Sequence, residues 1–260
     1  MVNVLETINN LYSYRQLLKS NIRKEIRGKY KGSFLGVLWS FVNPLLMTLV
    51  YAIVFPFVLK SGQPHYITFL VIGILPWTWF TTVIAQGTFT VLGNAGIIKK
   101  VYFPREILPI SVSTSGLINF LIACPIIFIF LLCSGIGFSP YILLLPIIIL
   151  TQYVLLTAIV LFTSAINVYI RDAEYIINFI VTMLFYATPI LYDANLFGKY
   201  AWILNLNPMS IIINSYRDIL YYQTMPNLIS LSILLVGSIF FVWLGLKFFK
   251  KLAKGFAEEV

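Results

Sequence analysis

Charge is absent from long stretches of this chain. Between Ile107 and Ile170 there is no Asp, Glu, Lys or Arg, a run of 64 residues. Similar gaps run from Gly32 to Leu59, from Ser61 to Ile98 and from Ile219 to Leu246. A helix crosses the hydrocarbon core of a bilayer with about 20 apolar residues. The gaps therefore predict an all-α integral membrane protein. The runs read as helices and not as barrel strands, which run to about 10 residues and alternate polar with apolar. Leu143-Leu144-Leu145-Pro146-Ile147-Ile148-Ile149-Leu150 does not alternate. Charged residues make up 10% of the chain, against about 25% in a soluble domain.

Six spans are read, at roughly 34–58, 66–88, 107–133, 141–168, 174–192 and 228–248. The 107–170 gap holds two of them, parted by the turn Ser134-Gly135-Ile136-Gly137-Phe138-Ser139-Pro140. The fifth span is the weakest, being short and ended by Pro189. Basic residues give the orientation. Of the 18 Lys and Arg, 15 lie in the N-terminal segment, the 2–3 loop, the 4–5 loop and the C-terminal tail. The other side holds only Lys60, Lys199 and Arg217. The positive-inside rule then puts both termini in the cytoplasm, which requires an even number of spans. The chain reads as one domain, 1–260, divided into an interface segment 1–31, six spans over 34–248 and a tail 249–260.

Residues 4–30 are amphipathic, with Leu11, Leu18, Ile22 and Ile26 at helical spacing and Arg15, Lys19, Arg23 and Arg27 beside them. Such a helix lies in the headgroup plane. It serves either as a plain electrostatic anchor or as an interface helix that also touches a cytoplasmic partner. Met1 to Leu11 has no basic region followed by an apolar one, so a cleavable signal peptide is not expected. Cys124 and Cys133 stand nine residues apart on one helix, about 13 Å of rise and too far for a disulfide.

Several chemistries are missing. There is no G-x-x-x-x-G-K-[ST] run to cradle a nucleotide. The lone His65 has no metal-ligand setting, so no metal or cofactor is expected on this chain. The cores of the spans hold no carboxylate or base, which disfavours a proton-coupled carrier and a membrane-embedded acid/base hydrolase. The net charge of +9 is explained by topology, without nucleic acid. A passive channel or a pump powered by another subunit remains, and the chain is not read as an enzyme.

The 2–3 loop runs from Gly93 to Pro109, and glycines before it and Pro104 after it delimit a short helix. Two readings stand side by side. In one, Lys99, Lys100 and Arg105 pin the loop to phosphates. In the other, the loop is a knob for a cleft on a soluble partner, with Tyr102 and Phe103 as anchors and Arg105 and Glu106 as polar contacts.

Ile98-Lys99-Lys100-Val101-Tyr102-Phe103-Pro104-Arg105-Glu106-Ile107-Leu108-Pro109 resembles the cytoplasmic loop of ABC-2 type polysaccharide-export permeases, the membrane subunits of O-antigen, capsule and teichoic-acid exporters. Tyr30-Lys31-Gly32-Ser33-Phe34-Leu35-Gly36-Val37-Leu38-Trp39, Asn43-Pro44, Tyr169-Ile170-Arg171-Asp172 and Asn207-Pro208-Met209 add to the resemblance, which spans nearly the whole chain. It implies a homodimer of six-span subunits with two cytoplasmic ATP-binding subunits, which hold the ATP and Mg. It implies that the 2–3 loop is the main coupling helix. Arg171, Asp172 and Glu174 would then form a second cytoplasmic contact, or else cap a short turn in solvent. The resemblance also implies an external gate within 193–227, where Asn207-Pro208 breaks a semi-polar stretch into a re-entrant hairpin. Arg217 and Asp218 either pair there or anchor to headgroups.

A path for sugar is argued from side-chain type. Phe41, Pro44, Thr48, Tyr51 and Phe55 follow helical spacing on span 1, and Tyr175, Phe179, Thr182 and Tyr186 do so on span 5. Rings suit the CH face of a sugar and hydroxyls suit its edge. Ordinary helix packing explains the same stripes. The expected function is the permease half of an ATP-driven exporter of lipid-linked polysaccharide in the cytoplasmic membrane, with Arg23, Arg27, Lys29 and Lys31 at the entrance for the lipid pyrophosphate. The rivals are a drug or lipid exporter of the same superfamily and a membrane enzyme of glycan or lipid assembly.

Overall fold

A computed structural model describes residues 4–30, 32–59 and 64–260, and the described residues are helical without strands. Two helices precede the bundle, α1 (Val4–Ser13) and α2 (Arg15–Tyr30). The bundle holds α3 (Trp39–Leu59), α4 (Tyr66–Gly93), the single turn α5 (Ala95–Ile98), α6 (Ile107–Cys133) and α7 (Leu145–Tyr169). It continues with α8 (Ala173–Tyr186), α9 (Pro208–Leu220), α10 (Leu228–Leu252) and the short α11 (Phe256–Glu259).

Among the described residues four helical stretches are long and apolar enough to cross a membrane: Tyr66–Gly93, Ile107–Cys133, Pro140–Tyr169 and Leu228–Glu259. Phe41–Val54 and Ala173–Tyr186 are apolar but shorter. The fifth expected span thus ends at Tyr186 instead of 192. The reason is local. Thr188 precedes Pro189, and a residue before proline is pushed out of the α region.

α4 is the hub, packed against α3, α6, α7, α8 and α9, while α10 lies along α7. Close crossings rest on glycine. A Cβ on Gly87 would sit 2.5 Å from Val160, and one on Gly116 would sit 2.1 Å from Val83. Small residues let helices approach in this way where water supplies no driving force. Hydroxyls inside the bundle close onto their own helix. Thr78, Thr114, Thr151 and Thr157 each donate to the carbonyl four residues back, at 2.8 Å. Gln152 on α7 ties three helices together. Its Nε2 donates to the Pro76 carbonyl of α4 at 2.8 Å, and its Oε1 accepts from the Tyr216 hydroxyl of α9 at 3.2 Å.

Candidate functional site

An open groove of about 790 Å³ runs between α3, α4 and α8. Tyr51, Tyr186 and Thr182 from the predicted stripes line it, together with Pro44. Tyr186 is exposed, and the Tyr51 ring lies 5.8 Å from that of Phe185. The other stripe residues do not line the groove. Phe41 packs on the core. Thr48 is buried and donates to the Pro44 carbonyl at 2.8 Å. Tyr175 and Phe179 are exposed on α8 outside the groove. The side chain of Phe55 lies outside the described residues.

The third wall was not foreseen. Thr78, Thr81, Thr82 and Ala85 of α4 face the groove, with Asn43 and Asn178 on the neighbouring helices. Their i, i+3, i+4, i+7 spacing is the helical-face signal that would have found them. A recess of about 210 Å³ adjoins the groove between α3, α4 and α6, sharing Asn43, Pro44, Thr78 and Thr82 with it. Trp79 Nε1 and Asn119 Oδ1 are buried at its wall with no hydrogen-bond partner among the described residues. A donor and an acceptor left open beside ring faces form a surface that hydroxyl groups can satisfy.

Past the C-terminal end of α4 the 2–3 loop departs from the expected helix. Only Ala95–Ile98 is helical, and Val101 to Pro104 is not. Tyr102 is 91% exposed whereas Phe103 is 4% exposed. The predicted pair of ring anchors is therefore split. Tyr102 faces out, and Phe103 belongs to an apolar cluster with Ile98, Val168, Phe249 and Phe256. Burying such a ring is worth about 1.5–3 kcal/mol, enough to decide which way this segment turns. Arg105 and Glu106 also turn inward. Arg105 Nη1 donates to the Ala253 carbonyl, and Glu106 Oε1 lies 3.4 Å from Lys250 Nζ. Lys99, Lys100 and Val101 remain exposed beside Tyr102. In the 4–5 loop Arg171 and Asp172 are exposed. The Glu174 backbone N–H is held by Asn167 Oδ1 at 3.2 Å, and Asn167 Nδ2 donates to the Thr88 carbonyl at 3.2 Å.

Beyond Tyr186 the chain forms buried non-helical backbone over Thr188–Leu191, then 3₁₀ turns from Ala194 to Leu206. Asn207 caps α9, accepting from the Met209 N–H at 3.0 Å and donating to Thr188 Oγ1 at 2.8 Å. Pro208 takes the first helical position, where its missing N–H costs nothing. The structure corrects both expectations for Arg217. It forms no ion pair with Asp218 among the described residues, and it does not reach for headgroups. It is 2% exposed. Its guanidinium donates to the Ile190 carbonyl at 2.6 Å, to the Pro189 carbonyl and to the Tyr192 carbonyl at 3.4 Å. Breaking α8 frees carbonyls that apolar surroundings cannot satisfy, and Arg217 supplies the donors. Asp218 instead faces a pocket of about 230 Å³ with Asp193, Asn214 and Tyr222.

A family model described as ABC-2 type transporter matches residues 16–221. The chain belongs to the ABC-2 type transporter family. It is 33% identical to an O-antigen export system permease protein RfbA of Myxococcus xanthus over 260 residues, 99% of this chain and 100% of that one. An RfbA of Klebsiella pneumoniae is 35% identical over 252 residues, 96% of each chain, and another from the same organism is 34% identical over the same share.

The amphipathic segment of this ABC-2 chain is docked on protein as well as being basic. α2 packs along α6, Asn21 is buried, and Lys24 Nζ donates to Asn94 Oδ1 at 2.8 Å. Burial pushes the Glu25 carboxyl up from its ordinary value, with Lys24 opposing. Arg23 and Arg27 are exposed on this helix. Lys31 and the side chain of Lys29 lie outside the described residues.

Proposed function

We propose that this ABC-2 chain is the permease subunit of an ATP-driven exporter that moves a lipid-linked polysaccharide of the O-antigen class across the cytoplasmic membrane. The observation that carries this reading is similarity along the full length to proteins named as O-antigen export permeases. A groove walled by tyrosines, threonines and asparagines supports it, since a sugar needs an apolar face and a polar edge together.

In this reading the chain is a single transmembrane domain of six spans, with α3 and α8 as the first and fifth and both termini in the cytoplasm. Two copies form the conduit, with the groove of each facing the other. Two cytoplasmic ATP-binding subunits hold ATP and Mg, and Lys99, Lys100 and Tyr102 meet them, with Arg171 and Asp172 as the second contact. Arg23, Arg27, Lys29 and Lys31 receive the lipid pyrophosphate. The hairpin containing Asn207 and Pro208 forms the external gate, and Arg217 fixes its base.

The test is reconstitution. The chain and an ATP-binding subunit placed together in proteoliposomes are expected to move lipid-linked polysaccharide with ATP and not with a non-hydrolysable analogue. Movement of an apolar drug or a plain phospholipid, with polysaccharide left behind, would replace this reading with that of a lipid or drug exporter.

A further inference from the structure

Past Leu252 the chain does not leave the bundle. A short 3₁₀ turn at Ala253–Gly255 folds it back, and α11 returns beneath the 2–3 loop against α5 and α7. Gly255 permits the return, because a Cβ there would stand 2.6 Å from the Tyr169 hydroxyl. That hydroxyl donates to the Leu252 carbonyl at 2.8 Å, so the end of α7 holds the end of α10. Phe256 is fully buried, its ring 5.3 Å from Phe249 and 6.1 Å from Tyr169. The 2–3 loop reaches the same place through Phe103, the Arg105 bond to Ala253 and the Glu106–Lys250 ion pair.

We propose that the tail, residues 250–260, is a positioning element for energy coupling, clamping the 2–3 loop and the end of α7 into one plate. This rests on the reading of the 2–3 loop as a contact for the ATP-binding subunit. A push on exposed Tyr102 passes through the neighbouring Phe103 into a cluster shared by α4, α7 and α10. Without the tail the same push would bend a loop whose only regular structure is one helical turn. Phe256 is fully buried within the chain, in the cluster of Phe103 and under the Arg105 guanidinium; it acts by fixing Phe103 and Arg105.

The experiment uses the full complex in proteoliposomes and reads polysaccharide exported per ATP hydrolysed. Phe256→Ala is expected to leave assembly and basal ATP hydrolysis unchanged while that ratio falls about tenfold, the size of effect seen along coupling networks. Glu106→Lys and Lys250→Glu are each expected to lower the ratio, and the double exchange to restore most of it. Should Phe256→Ala fail to insert, Phe256→Leu and the charge exchange carry the test. A parental ratio in these variants, or loss of assembly with the ATP-binding subunit, overturns the proposal. A parental complex that shows no ATP-dependent export is a different result, because it removes the exporter reading itself.

Discussion

The Arg217 guanidinium carbon lies 3.4 Å from the centre of the Phe69 ring, so a buried cation from α9 rests on an aromatic face of α4. The same guanidinium holds the Pro189 and Ile190 carbonyls. Flat, forked and weakly hydrated, it lays its face on the ring while its edge donates to the carbonyls, a division of labour that a compact ammonium lacks the shape for.

Arg217→Lys is accordingly expected to destabilise the protein by about 1–3 kcal/mol, the cost of leaving a buried acceptor unmet. Thermal unfolding of the detergent-solubilised protein measures it. An unchanged midpoint would show that the fork is dispensable.

Asp218 gives a pH dependence. Burial, joined by the charge of Asp193 and opposed by Arg217, pushes its carboxyl from 3.8 to about 6. The folded state therefore keeps a proton that the unfolded chain loses earlier. Stability from this group is complete below about pH 3.8 and is lost as pH rises through about 6. Asp218→Asn is expected to flatten unfolding midpoints across that window and to raise the midpoint at neutral pH. Parallel curves for the two proteins would contradict the assignment.

Tyr51→Leu and Tyr186→Leu keep apolar volume and remove the ring face and hydroxyl from the groove. Both are expected to insert and to associate with the ATP-binding subunit, with export reduced several-fold, as expected when a ring contact worth about 0.5–1.5 kcal/mol is lost. Export at the parental rate would place the sugar elsewhere.

Topology is checked by single cysteines in a cysteine-free background. Cysteine at Lys100 or Lys251 is expected to react only after the membrane is opened, and cysteine at His65 to react in intact cells. The reverse pattern at any one position would refute six spans with both termini inside.

The long helices were legible because a charge-free run has few ways to fold in lipid, and Pro189 marked the break after α8. The α4 wall of the groove was not. Thr78, Thr81 and Thr82 sit among Trp77, Trp79 and Phe80, so composition reads that stretch as core, and the helical spacing of the small and hydroxyl residues is the one sign of the open face. Periodicity was also silent on Tyr102 and Phe103, since irregular backbone has no repeat to extrapolate. Arg217 was misplaced because a lone cation in an external segment reads as surface. Its position one turn after Ile213, in line with Met209 and Leu220, all buried, was the clue that it belongs to the apolar stripe of α9.

Gln152 has one further consequence. With one amide engaged by both Pro76 and Tyr216, α4, α7 and α9 cannot slip past one another in the middle of the bundle without stranding polar atoms in hydrocarbon. Those three helices therefore form the part of the bundle that resists sliding. α3 and α8 border the groove and lack that tie, so in the exporter reading proposed above any widening of the groove falls to these two helices and not to a twist of the whole bundle.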